Sequence, residues 1–407
     1  MILSAKKQKA TIKIERKPLS NEHIEILAET AGIDGSHWQL SVHSLTRKSE
    51  DWAALQTLAD NAQGVNPFYE PKFLNALRGR FIRKNDNHLI LWETVGEEKR
   101  AKIAYPVKMG KINSKCRTLT AFQNEYAPIA TPLLDNTDSA ESMKQFAQLI
   151  DMAVKEKNMA FRIPNMCTDS PFNTQLEAQL GAFKSATLII EAQTRCALKP
   201  ENGSTGGLSS LSKKRVRELK RLKNKLGEQG KVEIVRSTDL MDVLIRFEEF
   251  LLLEMKSWKG RKGTSMQMLK KAAAFGRQAT TELSKSDKCE VFSLRLDNKA
   301  IAILINFYID GRSYPWKITY DEEFASRSPG TILIFEASQE LLSRPDFVLA
   351  DSLAKPGKSW LSAIWRDTLT FNDVTFAPTD QIAQKVYKTK PIKEHLKLIA
   401  KRILKRT

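Results

Sequence analysis

Histidine and cysteine are both scarce in this sequence of 407 residues, which contains five histidines and four cysteines. The cysteines lie far apart and form no Cys-x-x-Cys pair, so we predict no zinc or other metal site and reduced thiols in a cytosol. No histidine lies between His88 and His395. The C-terminal half therefore cannot hold a Ser-His-Asp or Cys-His arrangement, and carboxylates are left as the base for any acyl transfer there.

Long apolar runs are absent as well. The longest, at residues 300–309, is interrupted by Asn306 and is shorter than the ~20 residues that a transmembrane helix needs. Lysines stand at positions 6, 7 and 9, soon after the three apolar residues at the start, and no apolar core of a secretory signal follows them. We therefore expect a cytoplasmic protein, and the length suits two or three domains of ~100–200 residues each.

The formal net charge of +18 is concentrated in three short segments. Residues 1–20 hold six basic residues against one acidic, residues 212–226 eight against one, and residues 381–407 nine against one. The rest of the chain is close to neutral. Such clusters suit an anionic partner, which is a phosphate ligand, an anionic membrane surface or a nucleic acid, but they are also typical of solvated helix faces.

One order of predicted elements occurs twice along the chain. In residues 36–190 and again in residues 232–376, a strand is followed by two helices, three strands, a helix, a strand, a short helix and a last strand. The pattern is clearest after residue 290, where Asp310-Gly311 marks a tight hairpin between β-rich runs. We therefore predict an α/β fold with mixed (α+β) sheets, in two tandem copies without evident sequence identity.

This order divides the chain into five segments. They are a basic N-terminal extension at 1–35, an N-terminal domain at 36–194, a linker with a basic helix at 195–230, a C-terminal domain at 231–380 and a basic tail at 381–407. The linker prediction depends on the polar stretch from Arg195 to Gly207, which contains three glycines and a proline. Leucines on one stripe of residues 208–229 predict a helix that packs on the body and turns its Lys/Arg face away.

The tail predicts a second basic helix over residues 391–406, begun by Pro391. Its apolar residues recur on one face, and lysines and arginines fill the flanks and the opposite side. A helix of this kind is typical of a membrane interface, so we expect peripheral association with the inner face of the cytoplasmic membrane. The alternative is a helix packed on the second domain with its charges in water.

Several short motifs stand out within this framework. They are Ser212–Arg215, Trp258–Arg261 with Gly263-Thr264, Ser328–Thr331, Asp351-Ser352, Trp365-Arg366 and, in the N-terminal half, Asn66–Phe68 with Phe73. Together they resemble the CelD-like, cellulose-biosynthesis-associated branch of the GNAT acyltransferase superfamily. The resemblance implies tandem GNAT-like domains, related to the FemABX-type aminoacyltransferases, of which the second is catalytic.

The resemblance also implies acyl-CoA, and acetyl-CoA in particular, as co-substrate, with its pyrophosphate at a helix N-terminus between two splayed strands. Free backbone N–H groups and the helix dipole favour an anion at such a place. We expect Arg327, Ser328, Gly330 and Thr331 to bind it. Ala325 and Ser328 depart from the superfamily's Arg/Gln-x-x-Gly-x-Gly/Ala pattern, which also fits another donor such as aminoacyl-tRNA, or a plain helix start.

Acid–base candidates in the C-terminal half are Glu254, Asp351 and Tyr320. We expect Glu254 or Asp351 to be the base and Tyr320 to be the acid for the leaving thiolate. Glu254 follows a helical pattern beside Trp258 and Lys259, where burial against the indole would raise its pKa. The structural alternatives are a Glu254–Lys259 ion pair, a loop cap at Asp351 and a core position for Tyr320.

We expect the substrate pocket to be lined by Trp258, Lys259, Trp316 and Trp360, although tryptophans also fill sheet–helix interfaces. The N-terminal half is expected to have lost donor binding and to shape the acceptor cleft, because Asp138 brings a negative charge to its corresponding helix start.

The resulting prediction is an acyltransferase that acts on an amine or hydroxyl of a sugar or lipid-linked intermediate of envelope or exopolysaccharide synthesis. One alternative is a FemABX-like aminoacyltransferase that uses charged tRNA, which the basic helix favours because phosphate contacts need Lys/Arg clusters. The other is a non-catalytic scaffold with a GNAT fold.

Overall fold

The structure is a computed structural model that describes residues 24–46, 51–64, 66–201, 206–355 and 359–388. The predicted basic stretch at 1–20 and the amphipathic helix at 391–406 lie outside these residues. The N-terminal half contains β1 (Ile24–Ala31), β2 (His37–Ser44), α1 (Asp51–Asp60), α2 (Pro71–Leu77), β3 (Asp86–Val95), β4 (Glu98–Lys111), β5 (Arg117–Ala121), β6 (Leu133–Leu134), α3 (Ser139–Glu156), β7 (Met159–Cys167), α4 (Pro171–Gln179) and β8 (Ala186–Leu198).

The C-terminal half follows a similar order, but a helix precedes its first strand, three helices follow that strand, and only a short helical turn, Trp360–Ala363, precedes its last strand. It contains α5 (Lys213–Gly227), β9 (Val232–Ser237), α6 (Leu240–Lys256), α7 (Trp258–Arg261), α8 (Lys270–Ser284), β10 (Cys289–Leu296), β11 (Lys299–Ile309), β12 (Arg312–Tyr320), α9 (Pro329–Leu342), β13 (Leu349–Asp351) and β14 (Asp367–Ala377). The predicted mixed α/β class with two tandem copies is confirmed. None of the helices in the described ranges is both long and apolar enough to cross a membrane.

Two stretches differ from the local predictions. Strand β1 falls within the segment 1–35 that we expected to be an extension, and it pairs with β2 at the edge of the sheet. Its register shifts between Ile26 and Ala28, so that Leu27 and Ala28 are buried in succession and the alternation typical of a strand is lost. Strand β8 continues through Leu198, so the start of the predicted linker is sheet.

The described strands form one sheet in which the two halves exchange their last strands. The order is β1-β2-β3-β4-β5-β7-β14-β8-β13-β12-β11-β10-β9, with β6 beside β4. Strand β14, the last strand of the C-terminal half, therefore lies between β7 and β8, and β8 in turn pairs with β13. Each half thus completes its sheet with a strand of the other.

Aromatic side chains join the two halves in a shared core. The rings of Phe73 and Phe275 lie 5.3 Å apart and those of Phe68 and Phe307 6.0 Å apart, between centroids. At the edge of this contact Lys288 donates to the buried Glu70 at 2.6 Å. Helices α2 and α8, which occupy the same place in the two copies, therefore pack against each other across the junction.

The sheet opens between β12 and β13. These parallel strands pair only at Arg312↔Leu349 and Ser313↔Ala350, although β12 runs on through Tyr320. A bulge at Trp316 shifts the register of β12 against β11 in the same region. In the N-terminal half the corresponding strands β5 and β7 stay paired over four residues. The C-terminal half therefore has an open strand edge that the N-terminal half lacks.

Candidate functional site

A cleft of about 490 Å³ lies along the open part of β12. Its walls are the turn from α6 into α7, the end of β12, the start of α9 and the short helical turn that contains Trp360. Seven of the eleven residues that we expected at the site line it, namely Trp258, Lys259, Tyr320, Ser328, Gly330, Thr331 and Trp360. Sequence motifs that are up to a hundred residues apart thus meet in one place.

The start of α9 presents an unpaired backbone donor to this cleft. Ser328 adopts a left-handed conformation (φ 50°) and its side chain does not cap the helix. The N–H groups of Thr331 and Ile332 both donate to the Ser328 carbonyl, at 3.0 and 3.1 Å. Pro329 has no N–H, and the Gly330 N–H has no acceptor among the described residues. This donor and the helix dipole favour an anion at the cleft wall.

Gly330 keeps the cleft open. A Cβ atom on it would lie 3.4 Å from Cδ1 of Tyr320 and 3.9 Å from Cδ1 of Ile318. Those are ordinary van der Waals distances, so alanine fits. The γ-carbons of a β-branched residue would extend further into the space between α9 and β12.

The rim of the cleft is aromatic. Trp258 and Trp360 are 45% and 48% exposed, which is unusual for tryptophan. The backbone N–H of Trp258 donates to Oε1 of Glu322 at 2.8 Å, and this contact holds the start of α7 against the turn before α9. Exposed rings of this size at a cleft suit flat or apolar ligand groups.

Glu254 is buried behind this rim with both carboxylate oxygens engaged. Its Oε1 accepts a hydrogen bond from Nζ of Lys259 at 2.8 Å, and its Oε2 accepts one from the Met266 N–H at 2.7 Å. This is the ion pair that we gave as the structural alternative. It fastens the end of α6 to the next loop and fixes the amine of Lys259 at the cleft.

Asp351 lies outside the cleft. It is buried at the end of β13, where Oδ2 pairs with Arg195 of β8 and Oδ1 accepts from the Leu353 N–H at 3.0 Å. The Arg195 guanidinium lies 4.0 Å from the centroid of the Phe371 ring. These contacts join the exchanged strands, and Asp351 and Phe371 also line a separate cavity of about 40 Å³.

Two further predicted residues do not line the cleft. Arg327 precedes Ser328, and its Nε is enclosed without a hydrogen-bond partner in the described part of the chain. Trp316 is buried, stacks on Phe307 at 5.1 Å and donates from Nε1 to the Tyr126 carbonyl at 3.0 Å. Trp316 therefore belongs to the junction between the halves.

Lys317 is a candidate that the sequence did not single out. Its Nζ lies 4.8 Å from the centroid of the Tyr126 ring and 5.5 Å from that of Trp316. The amine has no hydrogen-bond or ion-pair partner among the residues described. Burial, and then the charge of Lys259, lower the pKa of Lys317 to about 8, while Glu254 acts in the opposite direction. A lysine within an apolar strand was the only signal available.

Tyr126 is delivered by a loop of the N-terminal half. The Asn124 carboxamide oxygen accepts from the N–H groups of Tyr126 and Ala127, each at 2.8 Å, and so folds the loop into a tight turn. Burial, reinforced by the neighbouring Glu125, raises the pKa of the Tyr126 hydroxyl well above its ordinary value. The N-terminal half thereby contributes a wall beside Lys317.

The equivalent helix start in the N-terminal half is arranged differently. Asp138 has the same left-handed conformation as Ser328, with φ 52°. However, the Ser139 hydroxyl there accepts from the amides of Gln63 and Gln175, at 3.2 and 2.8 Å. Two side chains therefore approach the start of α3, whereas the corresponding position at the start of α9 is open. Within the described ranges, no group of three or more His, Cys, Asp or Glu residues is placed to hold a metal ion.

Comparisons with known proteins agree with this geometry. Residues 213–348 match a family model described as an acetyltransferase (GNAT) domain, and this range contains every cleft residue named above except Trp360. A search of curated proteins returned no match. Over residues 213–348 the chain therefore matches a GNAT-type acetyltransferase domain, whereas the closer relation to the CelD-like branch depends on the sequence motifs alone.

A solved structure with a TM-score above 0.5 shares the fold over most of the chain. This structure is that of FemX, which has a TM-score of 0.51 and 10% identity, and the alignment covers 84% of this chain and 99% of the FemX chain. A protein of unknown function from Bacteroides thetaiotaomicron has a TM-score of 0.49 and 12% identity, and the alignment covers 81% of this chain and 98% of that protein. A tandem GNAT protein from the clavulanic acid biosynthesis pathway has a TM-score of 0.36 and 11% identity, and the alignment covers 84% of this chain and 100% of that protein.

Proposed function

We propose that the protein transfers an acyl group from acyl-CoA, with acetyl-CoA as the simplest donor, to an amine or hydroxyl. The observation that carries the proposal is the cleft at the start of α9, which lies along the open edge of β12 and within the GNAT-type domain. The acceptor that we propose is a sugar or lipid-linked intermediate of envelope or exopolysaccharide synthesis. Its support is the resemblance of the motifs to the CelD-like branch.

The donor end of the cleft suits a pyrophosphate. The free Gly330 N–H and the dipole of α9 attract the anion, with ~0.3–2 kcal/mol as the usual range for a charge at a helix terminus. The hydroxyls of Ser328 and Thr331 flank that position, and Arg327 adds positive charge nearby. From the helix start, the unpaired edge of β12 offers backbone groups to an extended, amide-containing arm.

The acceptor would enter from the other side, where the two halves meet. Tyr126 of the N-terminal half closes the wall beside Lys317, so the N-terminal half shapes the acceptor site in this proposal and does not bind a second donor. The basic tail at 381–407 would hold the enzyme near an anionic membrane surface if the acceptor is lipid-linked.

Titration calorimetry with acetyl-CoA tests donor binding. The full chain is compared with Gly330→Val, which fills the entry, and with Gly330→Ala, whose added methyl group meets Tyr320 at an ordinary contact distance. We expect the valine variant to bind at least about 10-fold more weakly, which corresponds to ~1.4 kcal/mol, and the alanine variant to resemble the wild type. Equal affinity in the valine variant, or no binding by the wild type, would contradict the proposal.

The exposed face of α5 favours a second candidate, aminoacyl transfer from charged tRNA. Leu219, Leu222 and Leu226 pack this helix on the body. Five basic residues on its other side are exposed, namely Lys213, Lys214, Arg217, Lys220 and Arg221. Phosphate contacts by such a face would make tRNA affinity fall steeply with salt concentration. Binding of charged tRNA with that salt dependence, together with no calorimetric signal for acetyl-CoA, would favour this candidate.

A further inference from the structure

The amine of Lys317 occupies a place built by both halves of the molecule. Trp316 and Tyr126 pack around it, and the Trp316 Nε1 bond to the Tyr126 carbonyl holds the two rings together. In the described ranges no oxygen accepts a hydrogen bond from this amine. An amine that is partly buried and left without an acceptor loses solvation energy that no partner restores. Such an arrangement is typical of a group kept for a ligand.

Lys317 also lies midway along the open edge of β12. The pairing with β13 ends at Ser313, and the residues that line the cleft, 318–320, follow Lys317 directly. The acyl group of a donor bound at Gly330 along this edge would therefore lie close to Lys317. Lys259 links the two places, because it lines the cleft and its charge acts on Lys317.

We propose that Lys317 is the catalytic base of the acyl transfer, with an aromatic pocket from both halves that keeps its amine free for the acceptor. This inference rests on the proposed function and replaces the carboxylate that the sequence indicated. Glu254 then has a positioning role, since its oxygens are occupied by Lys259 and the Met266 N–H. The N-terminal half becomes necessary for catalysis through Tyr126.

The step balances without any further reactant. The acceptor's N–H or O–H gives its proton to the Lys317 amine while its nitrogen or oxygen attacks the thioester carbonyl carbon. The new C–N or C–O bond replaces the C–S bond, which breaks and leaves the thiolate of CoA. The Lys317 ammonium then returns the proton to that thiolate, so the products are the acylated acceptor, free CoA thiol and neutral lysine.

Four titratable groups surround the amine. Lys259 lies in α7, Glu254 lies in the last turn of α6, and Glu125 and Tyr126 come from a loop of the N-terminal half. Burial and Lys259 disfavour the ammonium form, whereas the two carboxylates favour it. The balance holds the pKa of Lys317 at about 8, where a useful fraction of the amine is neutral at physiological pH.

Competitive labelling of lysines with trace acetic anhydride tests the state of the amine without an acceptor. The extent of labelling of each lysine in the full chain is followed by mass spectrometry from pH 6 to 11. We expect the midpoint for Lys317 near 8, below the ordinary lysine value of ~10.4, and the exposed Lys285, which directly follows α8, serves as the internal standard for labelling extent. A midpoint for Lys317 within half a unit of that ordinary lysine value would overturn the inference.

Variants then test the role in turnover, with acetyl-CoA as donor and glucosamine as an amine probe. Lys317→Met removes the amine, and Lys317→Arg keeps the charge and the ring contacts but cannot accept a proton at these pH values. We expect both to lower kcat/KM by about 100-fold or more and to lose the rise of wild-type kcat/KM between pH 7 and 9. The control Lys285→Met should match the wild type.

Rescue by Lys317→Arg, with the wild-type pH profile, would show that only charge or packing matters and would overturn the inference. Calorimetry with acetyl-CoA separates this failure from failure of the proposed function. If the arginine variant binds the donor and turns over normally, Lys317 is not the base, but the proposed function stands. If the wild type does not bind acetyl-CoA, the proposed function itself is wrong. Where glucosamine is not turned over, the labelling midpoint decides.

Discussion

The ion pair between Arg195 and Asp351 gives a sharp test of the strand exchange. Arg195 belongs to β8 of the first half and Asp351 to β13 of the second, and their side chains are only 6% and 5% exposed. Asp351→Ala would leave the Arg195 guanidinium buried without its carboxylate. Breaking a buried pair in this way costs about 3–5 kcal/mol, a large part of the ~5–15 kcal/mol by which a folded protein is stable.

The assay is urea unfolding of the full chain, followed by tryptophan fluorescence. The matched control is Asp169→Ala, because the Lys199–Asp169 pair at 3.5 Å is about half exposed and surface pairs contribute ~0–1 kcal/mol. A double variant, Arg195→Met with Asp351→Leu, should recover most of the loss, since buried pairs are replaceable by apolar residues. The reasoning is refuted if Asp351→Ala and Asp169→Ala shift the unfolding free energy equally.

Two further predictions concern pH and the cleft. Burial, and then the charge of His43, lower the pKa of His88 to about 3 from its ordinary 6.5. The unfolded chain therefore binds this proton first as the pH falls, and stability declines between pH 6.5 and 3 by up to ~1.4 kcal/mol per unit. His88→Phe should flatten that part of the stability profile, and an unchanged slope would count against it. Glu254→Gln, which weakens the contact with Lys259, should lower the unfolding free energy by about 1–3 kcal/mol. It should also reduce turnover less than Lys317→Met does. A larger loss of turnover in Glu254→Gln than in Lys317→Met would indicate that Glu254 is the base.

Local sequence signals predicted most helices and strands, because each such element depends on residues that are close together in the sequence. Alternation and the Asp310-Gly311 turn predicted the hairpin of β11 and β12, and the apolar period predicted α3 with the bounds that the structure shows. The exchange of β8 and β14 was not predicted. A strand's alternation shows which face is buried but not which neighbour it pairs with, and β14 pairs with strands about 180–210 residues earlier in the sequence.

At the site, too, features that depend on neighbouring residues were predicted, and contacts between distant residues were not. The start of α9 was predicted because proline and glycine act locally, and the cleft lies there. Asp351 was expected at the ligand, but its partner Arg195 is 156 residues away in sequence, beyond the range of any motif. Lys317 escaped notice because only the fold brings Tyr126 and Lys259 to it.

A crystal structure of the full chain with CoA tests the central claim most directly. We predict one CoA per chain, with its pyrophosphate at the Gly330 N–H and its pantetheine arm along β12 between Ser313 and Tyr320, so that the thiol ends near Lys317. CoA bound at the start of α3 instead, or CoA at the cleft with its thiol directed away from Lys317 and the junction of the halves, would contradict the account.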